Sequence, residues 1–291
     1  MVNKNMAKFD NIYCDLCEKI LTDGHKTDNR TGIPTIKIPS YHFQLNPAEE
    51  FPILTTKQVF IRQAIVEMLW IYQQQSNEVA WLKERNVHIW DKWEIAPDGK
   101  WYSETTGEVL KTFPKEFAGT IGTAYGYIVR KYHLIDDLID TIKNNPTDRR
   151  MVMSLWQNCE LETAVLPSCV WSSEWDVTDG KLNLWVHQRS CDVPLGLPFN
   201  VTQYAVLQAM IAQVCNLEVG TIDWSIKDAH IYENQVEGIR EQLARHKANK
   251  PLLAPKMILN KEVESFYDFT ENDVKLEGYE HMGKIRFPLT Q

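Results

Sequence analysis

A cysteine and an arginine on neighbouring segments are the first residues of this chain with an evident chemical use. The turn dipeptide Asp179-Gly180 separates two short stretches rich in aromatic and branched residues, which predicts a β-hairpin. With these two residues as the loop, the register places Cys169 across from Ser190 and beside Arg189. One bulge in either strand would instead bring Arg189 opposite Cys169, and the sequence leaves both registers open.

A cation next to a thiol favours the thiolate, which is the nucleophilic form of cysteine. Both registers therefore make Cys169 a candidate for covalent catalysis. The alternative is a small buried core residue, because free cysteine is among the most buried residue types.

The segment after this hairpin carries polar residues in a pattern typical of ligand sites. Ser190 and Asp192 lie where the second strand ends, and residues 196–200 form a turn that leads into a helix. Strand ends and helix starts commonly bind ligands because loop side chains and free backbone groups meet there. Two other interpretations stay open, a helix N-cap for Asn200 and a solvated charge for Asp192.

Three arginines are candidates for binding an anion. Arg149 and Arg150 precede a predicted strand, and Arg30 lies in the turn-rich segment 28–32. Arginine binds phosphate oxygens through two parallel hydrogen bonds, so these side chains suit a phosphorylated ligand. An ordinary surface position is the other interpretation of each arginine.

Glu67 lies inside an apolar helical stretch, where a carboxylate needs a partner or an exposed face. Burial would raise its pKa and suit it to proton transfer.

His230 and Tyr232 alternate on one face of a strand end, where they are suited to bond a sugar hydroxyl. Trp90 and Trp93 are spaced to share a helical face, a pattern that is more often typical of the core.

These candidates must be positioned by helices and strands that alternate irregularly. Apolar residues at helical spacing predict helices over residues 8–21, 61–75, 78–86, 134–144 and 200–216. Short stretches rich in branched or aromatic residues predict strands over residues 54–60, 149–156, 173–178, 181–187 and 220–226. The mixture predicts an α+β fold. We expect one domain over residues 1–291, with 94–118 as a loosely patterned insertion, because no repeat or linker divides the chain.

Composition limits the classes of function. The chain has 291 residues, 44% of them hydrophobic and 24% charged, as in globular proteins with a substantial core. A formal net charge of -8 predicts no general attraction to nucleic acid or an anionic membrane. The sequence contains no stretch typical of a secretory signal or a membrane span, which predicts a cytoplasmic protein with six reduced cysteines. No cysteine and histidine spacing indicates a metal site.

Taken in order, these segments resemble the thymidylate synthase family. The match begins at residues 28–32, DNRTG, and is densest over residues 188–200, QRSCDVPLGLPFN, with a further block at 228–234, DAHIYEN. The resemblance implies a large mixed β-sheet flanked by helices. It also implies reductive methylation of dUMP to dTMP without a metal. Cys169 would add to carbon 6 of the uracil ring, and 5,10-methylenetetrahydrofolate would donate a carbon and a hydride to become dihydrofolate.

The resemblance assigns roles to individual residues. Catalytic roles would fall to Cys169, Glu67, Arg189, Tyr125 and Asn200. The nucleotide dUMP would be bound by Arg30, Arg149, Arg150, Arg189, Ser190, Asp192, Asn200, His230 and Tyr232. The folate would be bound by Lys57, Ile89, Trp90, Trp93, Asp192, Gly196 and Phe199. Asn200 would select uracil over cytosine by matching its donors and acceptors. Arg149 and Arg150 would come from a second subunit, which makes a homodimer obligatory.

The chain departs from the common family pattern at several positions. Val170 follows the cysteine where His is usual, Ile226-Lys227 replaces Gly-Gly, and the chain ends in Pro288-Leu289-Thr290-Gln291 instead of a small apolar residue. These differences bear on the folate pocket and on closure of the tail. Two alternatives share the fold, a deoxyuridylate hydroxymethylase, in which water replaces the hydride, and a non-catalytic RNA-binding paralogue.

Overall fold

The computed structural model of the protein describes residues 7–248 and 252–290, which form helices around a large β-sheet. The described strands are β1 (His25–Thr27), β2 (Thr35–Leu45), β3 (Lys100–Tyr102), β4 (Val109–Thr112), β5 (Val152–Ser154), β6 (Val170–Thr178), β7 (Lys181–Gln188), β8 (Cys191–Asp192), β9 (Glu218–Tyr232), β10 (Lys256–Leu259) and β11 (Val274–Glu277). The described helices are α1 (Lys8–Asp23), α2 (Ile61–Tyr72), α3 (Val79–Lys83), α4 (Gly126–Lys131), α5 (Leu134–Asn144), α6 (Gly196–Val214) and α7 (Val236–Ala248).

The main sheet has the strand order β1-β2-β9-β7-β6-β5, and β8 also pairs with β9. Strands β7 and β8 run parallel to β9, whereas the other pairs in this sheet are antiparallel. The α+β class and the large mixed sheet are therefore confirmed.

The hairpin of β6 and β7 turns at Asp179 and Gly180, as predicted, and contains a bulge. Ser172 pairs with His187, but the next paired position is Val170 with Gln188, so Trp171 is an extra residue in β6. A bulge of this kind shifts every later pair by one residue. Of the two registers that the sequence leaves open, the fold adopts the bulged one.

Helix α6 lies at the centre of the hydrophobic core and packs against α2 and the sheet. Its apolar residues point in all directions, and Leu197, Val201, Leu207 and Ile211 are fully buried. A helix that is apolar on every side is stable only when it is surrounded by protein. This helix carries part of the candidate site at its first two turns.

The predicted strand over 54–60 is wrong, because this segment has no strand structure. The N–H groups of Thr55 and Thr56 donate to the buried Asp10 carboxylate at 3.0 and 3.1 Å. Gln58 N–H donates to the Gly283 carbonyl oxygen at 2.9 Å. A side chain and the C-terminal segment thus satisfy backbone groups that a sheet ladder would otherwise use.

The insertion over 94–118 is more regular than predicted, because it contains the antiparallel hairpin of β3 and β4. Among the described helices, none is both long enough and apolar enough to cross a membrane.

Candidate active site

A cavity of about 820 Å³ opens beside the C-terminal ends of β7 and β9, against α2 and the start of α6. Most of the predicted site residues line it: Arg30, Glu67, Ile89, Trp90, Trp93, Tyr125, Cys169, Arg189, Ser190, Asp192, Gly196, Phe199, Asn200, His230 and Tyr232. Residues that are distant in the sequence therefore share one concave wall.

Cys169 lies immediately before β6, opposite Arg189. The Arg189 N–H donates to the Cys169 carbonyl oxygen at 2.9 Å, and the Cys169 N–H donates to the Tyr125 hydroxyl oxygen at 3.2 Å. Burial raises the pKa of the Cys169 thiol, while Arg189 and Tyr125 lower it less strongly. The site by itself therefore favours the thiol, although its arginine neighbour acts in the predicted direction.

The Arg189 side chain is held in one orientation. Its Nε donates to the Ser168 carbonyl oxygen at 3.0 Å and its Nη2 to the Pro167 carbonyl oxygen at 2.6 Å. The guanidinium also lies 5.3 Å from the centre of the Trp156 ring. These contacts place a fixed positive charge beside the thiol.

Glu67 faces the cavity from α2, and both of its carboxylate oxygens accept hydrogen bonds. Trp90 Nε1 donates to one oxygen at 2.7 Å, and Gln203 Nε2 donates to the other. Burial raises the pKa of Glu67 to about 7, although both hydrogen bonds act against this rise. Protonated and ionised forms therefore coexist near neutral pH, as a residue that transfers protons requires.

Asn200 and Asp192 do not have the simpler roles that the sequence left open. Asn200 lies within α6, four residues after its start, so it is not the N-cap. Asp192 accepts from the Leu195 N–H at 3.1 Å and from Gln235 at 3.2 Å. Burial raises the pKa of Asp192, which is therefore not a solvated surface charge.

His230 and Tyr232 share one face at the end of β9, as predicted, and their rings meet edge to face at 5.3 Å. His230 Nδ1 lies 3.0 Å from the Asp228 carboxylate, and Lys37 Nζ lies 2.6 Å from the other oxygen of Asp228. His230 and Lys37 lower the pKa of Asp228 to about 2. Lys37 and Asp228 also line the cavity, although no local pattern in the sequence indicated a place there for either residue.

Three predicted residues lie outside the cavity wall. Lys57 is only 6% exposed, donates to the Pro194 carbonyl oxygen and lies 4.6 Å from the Phe287 ring centre. Burial lowers the pKa of Lys57 to about 8. The predicted contact between Lys57 and the folate stays a prediction. Arg149 and Arg150 are exposed, and Arg150 pairs with Asp148 at 2.8 Å.

Several residues in the wall were missed in the sequence: Lys37, Tyr72, Trp156, Leu166, Pro167, Gln203, Tyr204 and Asp228. Leu289 and Thr290, from the tail that the resemblance connects with the folate pocket, line the wall as well. Gln203 was detectable, since it lies three residues after Asn200 and so on the same face of the helix. Trp156 carries no such signal because it comes from a separate loop. Gln291, part of the divergent tail, lies outside the described residues.

Known proteins match nearly the whole chain. The family model described as thymidylate synthase matches residues 11–291. This chain belongs to the thymidylate synthase family. A thymidylate synthase of Clostridium beijerinckii is 45% identical over 285 residues, which is 98% of this chain and 100% of that protein. One of Bacillus mojavensis is 37% identical over 301 residues, which is 97% of this chain and 99% of that protein.

A solved structure gives the same result for the fold. The thermostable thymidylate synthase A of Bacillus subtilis superposes with a TM-score of 0.83 at 36% identity, covering 97% of this chain and 99% of that one. The thymidylate synthase fold is therefore confirmed, and so is the class of enzyme, a methyltransferase.

The wall has the chemistry that a folate would need. Trp93 is 7% exposed, and its buried Nε1 has no hydrogen-bond partner among the described residues. Together with Trp90 and Phe199 it offers aromatic surface to a ring system. The described residues contain no group of three or more His, Cys, Asp or Glu side chains arranged to hold a metal ion.

Proposed function

We propose that this chain converts dUMP to dTMP with 5,10-methylenetetrahydrofolate, through a covalent bond between Cys169 and carbon 6 of the pyrimidine. The observation that carries the proposal is the convergence of Cys169, Arg189, Glu67 and Asn200 on one cavity of about 820 Å³. This volume falls within the range of small-molecule sites and suits a nucleotide with a second ring system. Membership of the thymidylate synthase family supports the same reaction.

The chain's own residues account for the covalent step. The Cys169 thiol must lose its proton as sulfur bonds to carbon 6, and the fixed charge of Arg189 stabilises the thiolate. Electrons then move toward the carbon 4 oxygen, which makes carbon 5 nucleophilic. Glu67, with a pKa of about 7, is suited to lend a proton to that oxygen and take it back. When bound, the folate supplies the one-carbon group and the hydride.

We assign the remaining wall residues to the parts of the substrates that match their chemistry. Cations and a hydroxyl suit the phosphate, namely Arg30, Arg189 and Ser190. His230 and Tyr232 suit the ribose hydroxyl, and Asn200 suits the pyrimidine edge. The proposed folate wall consists of Ile89, Trp90, Trp93, Asp192, Gly196 and Phe199. Tyr125 would assist proton transfer beside Cys169.

We propose that the protein acts as a homodimer through the open face of the main sheet. Val152, Trp171 and Trp185 are 49%, 38% and 45% exposed on strands of this sheet. Large apolar side chains grouped on an uncovered face are typical of an interface. Arg149 and Arg150 precede β5 at this edge and would reach the partner's phosphate site.

Two further expectations belong to this proposal. One hydrophobic core includes residues from Phe9 to Val274, which supports a single domain over residues 1–291. The six cysteines are free thiols, which supports a cytoplasmic location.

The direct test is incubation of the protein with dUMP and 5,10-methylenetetrahydrofolate. We expect equal amounts of dTMP and dihydrofolate, the latter followed by its absorbance. Formation of hydroxymethyl-dUMP with tetrahydrofolate would instead identify the hydroxymethylase.

Cys169→Ser should lose nearly all turnover and still bind dUMP, because the base, sugar and phosphate contacts remain. Unchanged turnover in this variant would refute the covalent mechanism.

A further inference from the structure

The Asn200 side-chain amide lies between two glutamine amides. Gln188 Nε2 donates to Asn200 Oδ1 at 3.2 Å, and Asn200 Nδ2 donates to Gln203 Oε1 at 3.3 Å. Both glutamines are buried, at 2% and 5% exposure. The oxygen and the nitrogen of the Asn200 amide are therefore each engaged by one neighbouring side chain.

Each glutamine is fixed in turn by a group that has only one hydrogen-bonding role. Trp224 Nε1, which can only donate, donates to Gln188 Oε1 at 3.0 Å. The Ala64 carbonyl oxygen, which can only accept, accepts from Gln203 Nε2 at 3.1 Å. Rotation of either glutamine would bring two donors or two acceptors together in a buried place. Asn200 therefore has one orientation that satisfies its neighbours.

Gln203 also connects this amide to the proton-transfer residue. Its Nε2 donates to Glu67 as well as to the Ala64 carbonyl oxygen, while its Oε1 accepts from Asn200. One buried side chain thus touches both residues that we assign to the pyrimidine.

We propose that Gln203 is a positioning residue that makes the site selective for uracil over cytosine and sets the protonation of Glu67. The inference rests on the roles proposed above for Asn200 and Glu67. With Gln188 and Gln203 in place, Asn200 keeps one Nδ2 hydrogen for an acceptor and one Oδ1 lone pair for a donor. Uracil presents that pair at its carbon 4 oxygen and N3–H, whereas cytosine presents the reverse.

Loss of the Gln203 amide has two separate consequences. Asn200 keeps only Gln188 as an anchor, so an inverted amide that suits cytosine becomes less costly. Glu67 loses one of its two donors, which makes its carboxylate harder to ionise. The first effect changes nucleotide preference, and the second moves the pH dependence of the rate upward.

The test compares Gln203→Met with Gln208→Met. Gln208 is the matched control because it is a buried glutamine of the same helix whose Nε2 donates to the carbonyl oxygens of Leu182 and Thr221, outside the cavity. The ratio of the dissociation constants of dCMP and dUMP and the pH profile of kcat for dUMP would be measured in each variant and in the unchanged protein.

We expect Gln203→Met to lower the dCMP to dUMP ratio roughly tenfold and to shift the profile to higher pH. Gln208→Met should lose thermal stability without either change. An unchanged ratio and profile in folded Gln203→Met overturns the inference, and Gln203→Leu repeats the test if the first variant fails to fold. An unchanged ratio in Asn200→Ala would refute the proposed role of Asn200 itself.

Discussion

The thiol of Cys169 experiences two opposing effects at the residue scale. Burial disfavours the charged form of the thiol, and the adjacent guanidinium of Arg189 favours it. Burial is the larger effect, so the pKa of the thiol is raised. Arg189, the neighbour inferred from the sequence, lowers the pKa of the thiol as expected. Burial raises this pKa by more, so the net shift is upward.

The pH dependence of alkylation measures this balance. We expect Cys169 to react with iodoacetamide with a midpoint above the ordinary pKa of a cysteine thiol, because burial outweighs Arg189. Arg189→Met should move the midpoint higher still. Subtraction of the Cys169→Ser rate removes the other cysteines, of which Cys159 is exposed. A midpoint below the ordinary value would contradict this account.

Glu67 should affect activity and stability in the same pH range. Its pKa rises from 4.5 to about 7 on folding, so the folded state holds the proton more tightly than the unfolded state. Stability then falls as pH rises between these values, by about 3 kcal/mol in total. Glu67→Gln should lack this fall and lose the inflection near pH 7 in the rate.

Denaturation of the unchanged protein and of Glu67→Gln at several pH values gives the difference between their free energies of unfolding directly. Other buried carboxylates, such as Asp192, are common to both proteins and cancel. A difference that stays constant from pH 4 to pH 8 would exclude the raised pKa of Glu67.

At the element scale, the bulge in β6 decides which residue lies opposite Cys169. Trp171 is the extra residue, and it shifts the pairing so that Arg189 meets the cysteine. Helix α4 matters in a similar way, because Tyr125 precedes it and accepts from the Cys169 N–H. The positions of both partners of Cys169 thus depend on backbone geometry.

Gly126→Ala tests the position of α4. A Cβ at Gly126 would lie 2.0 Å from the Ser76 carbonyl oxygen, so the start of α4 would have to move. We expect a loss of about 1–3 kcal/mol in unfolding free energy and a lower kcat, because Tyr125 moves with the helix. Thermal denaturation and steady-state rates provide the measurement.

Gly107→Ala is the comparison for this change. Its φ of +70 costs a side chain about 1 kcal/mol, but nothing lies within 4 Å of the added carbon. This variant should keep its kcat. Equal losses of kcat in both variants would argue against a role for α4.

At the scale of the whole molecule, the open sheet face and the outward arginines support the proposed dimer, in which each site is built from two chains. Arg150 has a side chain that is 86% exposed, and it lies outside its own cavity wall. A monomer would therefore lack two of the predicted phosphate ligands.

Mixing two inactive variants tests this arrangement. Cys169→Ser lacks the nucleophile, and a protein with both Arg149→Ala and Arg150→Ala lacks the donated cations. A hybrid dimer contains one complete site, so equal mixing after reversible dissociation should restore roughly a quarter of normal activity. Trp185→Glu in both chains should yield monomers in sedimentation and no recovery. Recovery without dimers would refute shared sites.

The sequence by itself determined the class of fold, the hairpin at Asp179-Gly180 and most of the residues that meet in the cavity. Local signals suffice for the fold class and the hairpin, because turn chemistry and apolar periodicity act over a few residues. Several cavity residues, among them Ile89, Tyr125 and Phe199, came only from the resemblance. The long ordered match to one family supplied the reaction, and the family comparisons confirmed it.

Only the tertiary structure decided the bulged register, the raised pKa values of Cys169 and Glu67, and the buried place of Lys57. Each of these depends on segments that are distant in the chain. Lys57 is enclosed by Pro194 and Phe287, and Glu67 is enclosed by α6 and Trp90. Burial and pairing between distant segments are properties of the packed molecule, so no local pattern encodes them.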